Sequence, residues 1–274
     1  MKPVIKWVGG KRQLLPEISK LIPNSFSNYY EPFIGGAAVL LSIEPANAVI
    51  NDYNKELTNL YKIIKNSPKK LISILKKHKE NNSAEYYYAL RNLDRTPAEY
   101  KKLTPAERAA RLIYLNKVCF NGLYRVNSKG EFNSPYGKYV NPSIYSEEDI
   151  MCLHNYFKTN NIQILSGDFE KAVANAVEGD FVYFDPPYYP LTATASFTGY
   201  SDNGFSEKDQ IRLKKVCDEL NKKGVKFLLS NSYCPFITEL YKDYIITTVD
   251  ASRAINSKGQ GRGKIKEVLV RNYE

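Results

Sequence analysis

Short runs of β-branched and aromatic residues recur along both outer parts of the chain, and most border a stretch with helical periodicity. NYYEPFIG, AVIND, QILSGDF, FVYFD, KFLLSN and EVLVRN predict strands. Strands alternating with helices point to an α/β fold around a mainly parallel sheet. Ser206-Glu207-Lys208-Asp209 is a capping sequence, and the helix it opens is expected to stop near Gly224. The middle of the chain has a different pattern. Residues 69–79 and 85–93 carry helical periodicity, and Thr104-Pro105-Ala106-Glu107 is a capping box with proline at the first helical position. FNGLYRVNSKGEFNSPYG then breaks that pattern and predicts two short polar-aromatic strands turning at Ser128-Lys129-Gly130. Internal repeats and low-complexity tails are absent.

The length of 274 residues suits one large domain, or one domain carrying a sizeable insertion. No apolar stretch reaches the roughly 20 residues that span a bilayer. The start, MKPVIKWVGGKRQ, lacks an apolar signal core, so a soluble cytoplasmic protein with no membrane partner is expected. Charge is distributed unevenly. The chain is +10 overall; residues 1–54 are net +1, residues 55–164 net +9 and residues 165–274 neutral. A basic segment inside a neutral frame suggests a polyanion-binding surface, with a solvated lysine-rich face as the alternative. Cys119, Cys152, Cys217, Cys234, His78 and His154 lack metal-ligand spacing, so reduced thiols and no metal are expected.

The chemistry concentrates in DFVYFDPPYYP, residues 180–190. FVYF is a strand of buried type, and Pro186-Pro187 end it abruptly. In open α/β sheets ligands bind outside the carboxyl ends of strands, which places Asp185 at the ligand crevice. A carboxylate, a rigidly held Pro186 carbonyl and the flat ring of Tyr188 suit an amino group on a planar ring. Two acceptors would hold the N–H bonds while the ring stacks on tyrosine. A strand-to-turn junction with an incidental acid is the alternative.

Asp185-Pro186-Pro187-Tyr188 resembles the DPPY motif of amino-methyltransferases that use S-adenosylmethionine. Four further segments agree with that family. Pro32-Phe33-Ile34-Gly35-Gly36 resembles its cofactor-cradling FxGG loop, and Lys6-Trp7-Val8-Gly9-Gly10-Lys11 its KWxGGK motif. The former is not GxGxxG, and Ile5 stands where a P-loop needs glycine, which disfavours dinucleotide binding and nucleotide hydrolysis. Asn51-Asp52 closes a predicted strand where an acid grips ribose hydroxyls, and Gly167-Asp168-Phe169 resembles the segment beside the adenine. Glycine loop, basic insertion and DPPY follow in the order of the alpha group of DNA adenine-N6 methyltransferases. Asn121-Gly122-Leu123-Tyr124-Arg125, Gly130-Glu131-Phe132-Asn133 and Pro135-Tyr136-Gly137 resemble the recognition hairpin of the Dam and DpnM-like enzymes. Tyr200, Gly204-Phe205, Arg253 and Arg262 fit the same pattern.

The resemblance spans nearly the whole chain. It implies a Rossmann-like methyltransferase sheet formed by residues 1–54 and 165–274, with a mostly helical target-recognition domain inserted at 55–164. It assigns Trp7, Lys11, Phe33, Gly35, Asp52, Asp168, Phe169 and Asp185 to S-adenosylmethionine. Asp185, Pro186 and Tyr188 fall to catalysis, and Lys6, Asn121, Leu123, Arg125, Asn133 and Pro135 to double-stranded DNA. It also implies GATC as the site and base flipping as the route. No obligate protein partner is implied, but a cognate restriction nuclease acting on the same site is compatible with it. Plainer roles exist for several of these residues: Trp7 and Phe33 as core aromatics, Asp52 and Asp168 as helix caps, Arg125 and Lys6 as solvated charges. Cytosine-N4 methylation, usually marked by SPPY, and a catalytically idle DNA-binding module are the alternative functions. Protein glutamine methylation usually carries NPPY and leaves the basic insertion unexplained.

Overall fold

The computed structural model describes residues 1–191, 205–252 and 264–274. Tyr200, Gly204, Arg253 and Arg262 lie outside the described residues. Among the described residues the strands are β1 (Tyr29–Glu31), β2 (Asn47–Ile50), β3 (Asn161–Ile164), β4 (Phe181–Phe184), β5 (Lys226–Ser232), β6 (Ile245–Ser252) and β7 (Lys264–Arg271). The helices are α1 (Leu15–Leu21), α2 (Leu40–Ile43), α3 (Lys55–Asn66), α4 (Pro68–Glu80), α5 (Ala84–Asn92), α6 (Pro97–Lys102), α7 (Pro105–Val118), α8 (Glu147–Thr159), α9 (Phe169–Val173), α10 (Glu207–Lys222) and α11 (Pro235–Leu240). None is long and apolar enough to cross a membrane. All six strands predicted in the outer parts form; β6 is an addition.

The chain divides into two compact units. One comprises Lys11–Phe33, Asn47–Ile50 and Asp168–Glu274. It holds six strands of a Rossmann-like sheet in the order β2-β1-β4-β5-β7-β6. β2, β1, β4 and β5 run parallel. β7 is antiparallel to both β5 and β6. Every residue of β4 is buried, as an unbroken apolar run in a parallel sheet demands. α10 starts at the expected capping box, Ser206 with Asp209. It is followed by Gly224 at φ +73°, a backbone that glycine adopts without steric cost. Leu213, Val216 and Leu220 of α10 join Val182, Phe227 and Val268 in the core.

The other unit comprises Met1–Gly10, Ile34–Ala46 and Asn51–Gly167. It contains β3 and most of the helices. The Thr104–Glu107 capping box opens α7, which is buried on nearly every side and packs on α3, α4 and α5. Besides residues 55–164 the unit takes in Met1–Gly10, with most of the amino-terminal motif, and Ile34–Ala46, with the glycines of the glycine loop. The predicted hairpin turns at Ser128–Gly130, but its arms form isolated bridges, Val126 with Phe132 and Cys119 with Tyr136, rather than two strands. Asn127 shapes the tip: its Oδ1 accepts from Lys129 N and Glu131 N, each at 3.0 Å.

Candidate active site

In the sheet-bearing unit, Asp185 leaves β4 at its carboxyl end. β1 lies alongside, with β2 on its other edge. Phe33 follows β1, so Phe33 and Asp185 emerge at the point where the strand order reverses, the place where open sheets bind ligands. Lys11 Nζ lies 2.7 Å from Asp185 Oδ1, and the lysine side chain is buried while the carboxylate keeps 20% of its surface. The Ser230 hydroxyl donates to the same oxygen at 3.1 Å. Burial pushes the Asp185 carboxyl upward, opposed by Lys11 and by the Ser230 hydrogen bond. Lys11, grouped by the sequence with the cofactor residues, is thus the ion-pair partner of the DPPY acid.

The Tyr188 phenol donates to Glu267 Oε2 at 2.7 Å, and Lys11 Nζ lies 4.5 Å from the ring centroid. Burial, then the charges of Asp185 and Glu267, hold the phenol far above its ordinary range. It therefore stays neutral and presents a plate rather than a base. Gln210 Nε2 donates to the Pro187 carbonyl at 2.9 Å. Asn231 accepts from Tyr189 N at 3.1 Å and donates to Gln210 Oε1 at 3.0 Å. Both amides are wholly buried. Pro186 is buried at the start of this anchored turn; with the Pro187 carbonyl engaged, that of Pro186 is the candidate acceptor.

Phe33 and Phe169 pack into an aromatic cluster with Phe205, at centroid distances of 5.3 to 5.6 Å. Asp168 caps α9, accepting from Glu170 N at 2.9 Å. Its other oxygen meets Arg212 at 2.9 Å, and that guanidinium lies 4.5 Å from the Phe169 centroid. The plainer roles of Phe33 and Asp168 are therefore present in the fold, and Phe169 shares the aromatic cluster.

In the helical unit, Gly35 adopts φ +47°, and a Cβ there would come within 2.9 Å of Trp7 Cδ1. The indole also stacks on Tyr124, with centroids 4.8 Å apart. Asp52 Oδ2 accepts from Gly35 N at 3.1 Å and Oδ1 from Asn54 N at 2.9 Å. The cap of α3 is Asn54, whose side chain accepts from Glu56 N and Leu57 N; Asp52 does not have that role. Burial raises the Asp52 carboxyl to about 6, against the backbone hydrogen bonds that lower it. A carboxylate offers about four acceptor positions, and backbone hydrogen bonds from Asn54, Gly35 and Tyr53 take three, so one remains on this partly accessible side chain for a ribose hydroxyl.

The hairpin belongs to the same unit. Buried Asn116 accepts from Lys6 N at 2.9 Å and donates to Lys6 O at 2.7 Å. The Lys6 side chain passes Gly122, where a Cβ would lie 2.7 Å from its Cδ. Lys6 is thereby brought beside Asn121, which is exposed at φ +58°. Leu123 is half-buried and its carbonyl accepts from the Ser134 hydroxyl. Arg125 is exposed; its Nε donates to Asn133 Oδ1 at 2.8 Å, which leaves the outer edge of the guanidinium facing away from that bond. Pro135 is exposed while its carbonyl accepts from Phe120 N at 2.9 Å. Behind the hairpin, Asp94 Oδ2 accepts from Phe132 N and from Arg111, each at 2.8 Å. Arg95 donates to Phe132 O at 3.1 Å.

Ser230, Gln210, Asn231, Glu267, Asn116 and Asp94 were not singled out in the sequence. A signal existed for some. Ser230-Asn231-Ser232 closes an apolar strand, and Gln210 and Asn116 are uncharged polar residues on buried helix positions. Among the described residues no group of three His, Cys, Asp or Glu side chains could hold a metal, and the four cysteines are unbridged.

Residues 7–255 match the family described as D12 class N6 adenine-specific DNA methyltransferase. The chain is 50% identical over 273 residues to the Type II methyltransferase M1.LlaDCHI of Lactococcus lactis subsp. cremoris, covering all of this chain and 96% of that one. It is 42% identical to the Type II methyltransferase M.MjaIII of Methanocaldococcus jannaschii, covering 100% and 99%. It is 35% identical to a DNA adenine methylase of Haemophilus influenzae, covering 98% and 93%.

Proposed function

Because this chain belongs to the D12 class of N6 adenine-specific DNA methyltransferases, we propose that it methylates the adenine of GATC in double-stranded DNA, with S-adenosylmethionine as donor. The arrangement of Asp185 and Tyr188 supports this most directly: an anchored carboxylate and a neutral aromatic plate leave one turn together. When bound, S-adenosylmethionine supplies a methyl carbon made electrophilic by its positive sulfur, which keeps the bonding pair as the methyl departs. Asp52, with one acceptor position left, fits a ribose hydroxyl, and the close Gly35–Trp7 turn fits a cradle in which added side-chain bulk is excluded. Phe33, Asp168, Phe169 and Lys11 complete the proposed set of cofactor residues.

The adenine amino lone pair is delocalised into the ring and is a poor nucleophile. Hydrogen bonds to Asp185 and the Pro186 carbonyl localise it and aim it, which is positioning with electrostatic preorganisation. One N6 proton leaves along the bond to Asp185, whose upward-shifted carboxyl is a better proton acceptor than a surface carboxylate. The base reaches the turn by flipping out of the duplex and stacks on the Tyr188 face that Lys11 does not cover.

Residues 55–164, with their net +9, form the proposed recognition segment. Lys6, Asn121, Leu123, Arg125, Asn133 and Pro135 meet the DNA there. The hairpin's likeness to Dam and DpnM-like enzymes is the support for GATC. A restriction nuclease reading the same sequence is the proposed partner. Unmethylated plasmid DNA of mixed sequence, incubated with labelled donor and mapped at base resolution, tests the reading. Label confined to adenine N6 in GATC is expected. Label at cytosine N4, or DNA binding with no transfer, overturns it; adenine label at another sequence overturns GATC alone.

A further inference from the structure

Asp185 must present one oxygen to the base, yet a carboxylate on a single Cβ rotates about its Cβ–Cγ bond. Among the described residues, both of its partners meet the same oxygen. Lys11 Nζ is 2.7 Å from Oδ1, and Ser230 donates to Oδ1 at 3.1 Å. Lys11 is a long, flexible point charge and tolerates rotation. Ser230 is short, lies within β5 and is wholly buried. Its one proton has other acceptors in reach, the Phe184 carbonyl at 3.4 Å and the Tyr188 hydroxyl, but only the carboxylate is charged. With that proton committed, the Tyr183 hydroxyl, 3.0 Å from Ser230 Oγ, is the donor in their contact. The result is a directional relay, Tyr183 to Ser230 to Asp185 Oδ1, across β4 and β5, where Tyr183 and Leu228 share a register.

Resting on the methyltransferase reading above, we propose that Ser230, oriented by Tyr183, is a positioning residue: it fixes the rotation of the Asp185 carboxylate so that Oδ2 faces the adenine amino group. Ser230 touches neither base nor methyl donor; it acts through Asp185. The charged and titratable groups around the acid are Lys11 from the amino-terminal segment, Tyr183 in its own strand, Tyr188 after it, Glu267 of β7 and, beyond Tyr183, Glu31 of β1. Ser230 is the one neutral donor to the carboxylate among those named.

The test compares wild type, Ser230→Ala, Tyr183→Phe and the double variant by single-turnover transfer to GATC duplexes across pH. Wild-type transfer to adenine checks the underlying reading separately. Ser230→Ala is expected to lower the transfer rate roughly tenfold, the scale of a hydrogen bond to a charged group. Donor affinity should stay unchanged, and the acidic limb of the rate profile should move to higher pH. Tyr183→Phe is expected to lose less, and the double variant to be no slower than Ser230→Ala, since both changes break one relay. An unaltered rate and acidic limb in Ser230→Ala overturns the proposal. So do losses that multiply in the double variant, which would mark two independent packing defects. Should Ser230→Ala fold poorly, Tyr183→Phe decides alone: the acidic limb moves, or the relay has no part in positioning.

Discussion

The DPPY turn and the recognition hairpin are fastened in opposite ways. The turn is held from four elements: Lys11 ahead of α1, Gln210 on α10, Ser230, Asn231 and Ser232 on β5, and Glu267 on β7. Its anchors Lys11, Gln210, Ser230, Asn231 and Ser232 are all buried. The hairpin is held from behind, where Asp94, itself gripped by Arg111, and Arg95 bond the backbone of Phe132 and Tyr87 bonds that of Ser134. Its front carries exposed Asn121, Arg125 and Pro135. Transfer chemistry needs atoms fixed to a fraction of an ångström; sequence reading needs a fixed backbone with side chains projecting into water. The contrast predicts that single changes in the turn act on rate, and single changes on the hairpin front act on choice of sequence.

The largest effect is expected at the turn. Asp185→Asn should lower methyl transfer by about 100- to 1,000-fold, the scale of losing one preorganised polar contact in a transition state. It also leaves buried Lys11 without its counter-charge, so a lower Tm should accompany the loss. A variant with wild-type turnover would remove Asp185 from the mechanism. Next, Asp94→Ala strips the clamp and strands buried Arg111, at a cost of about 3 kcal/mol in denaturant unfolding. A change well under 1 kcal/mol would mean that the hairpin is fastened elsewhere.

Arg125→Ala should narrow the kcat/KM gap between GATC and sites altered at a guanine, by about 1–3 kcal/mol of discrimination. Equal losses on every substrate, with a flatter salt dependence, would make Arg125 a phosphate contact. The smallest expected effect is at Asp52. Its carboxyl is raised to about 6, and ribose hydroxyls bind the ionised form better. Donor affinity should therefore fall as pH drops through 6, by about tenfold one unit below it. Binding near pH 6 should release a proton, seen by calorimetry in buffers of different ionisation enthalpy. Asp52→Asn should abolish both signatures.

The sheet was legible where strands are buried on both faces, because FVYF and KFLLSN can be little else. β6 escaped because it pairs only with β7. IITTVDAS is an edge strand whose threonines and Asp250 need no apolar surroundings, so it lacks the dense pattern that marked the others. The helix caps at Thr104 and Ser206 were legible because capping is local in sequence. Asp52 was read as a possible cap for the same reason, and the adjacent Asn54 took that role. The Asp185 site was legible as a motif but not as a network. Lys11, Ser230 and Glu267 reach it from distant parts of the chain, and no local pattern records which carboxylate a buried lysine meets. The hairpin's turn was visible, but the interruption of its ladder was not, because it depends on how Phe132 is clamped by Asp94 and Arg95 in the segment after α5.

Trp7 lies against Gly35 on the glycine loop and against Tyr124 on the hairpin. In evolutionary terms, the indole ties the history of the recognition hairpin to that of the loop. A lineage exploring new target sequences can exchange Arg125 or Asn133 with little consequence beyond the hairpin. A change at Tyr124 disturbs Trp7, and through it a glycine position where no side chain fits. New specificities should therefore arise first at the hairpin positions that stand clear of the indole, and Tyr124 should change only together with Trp7.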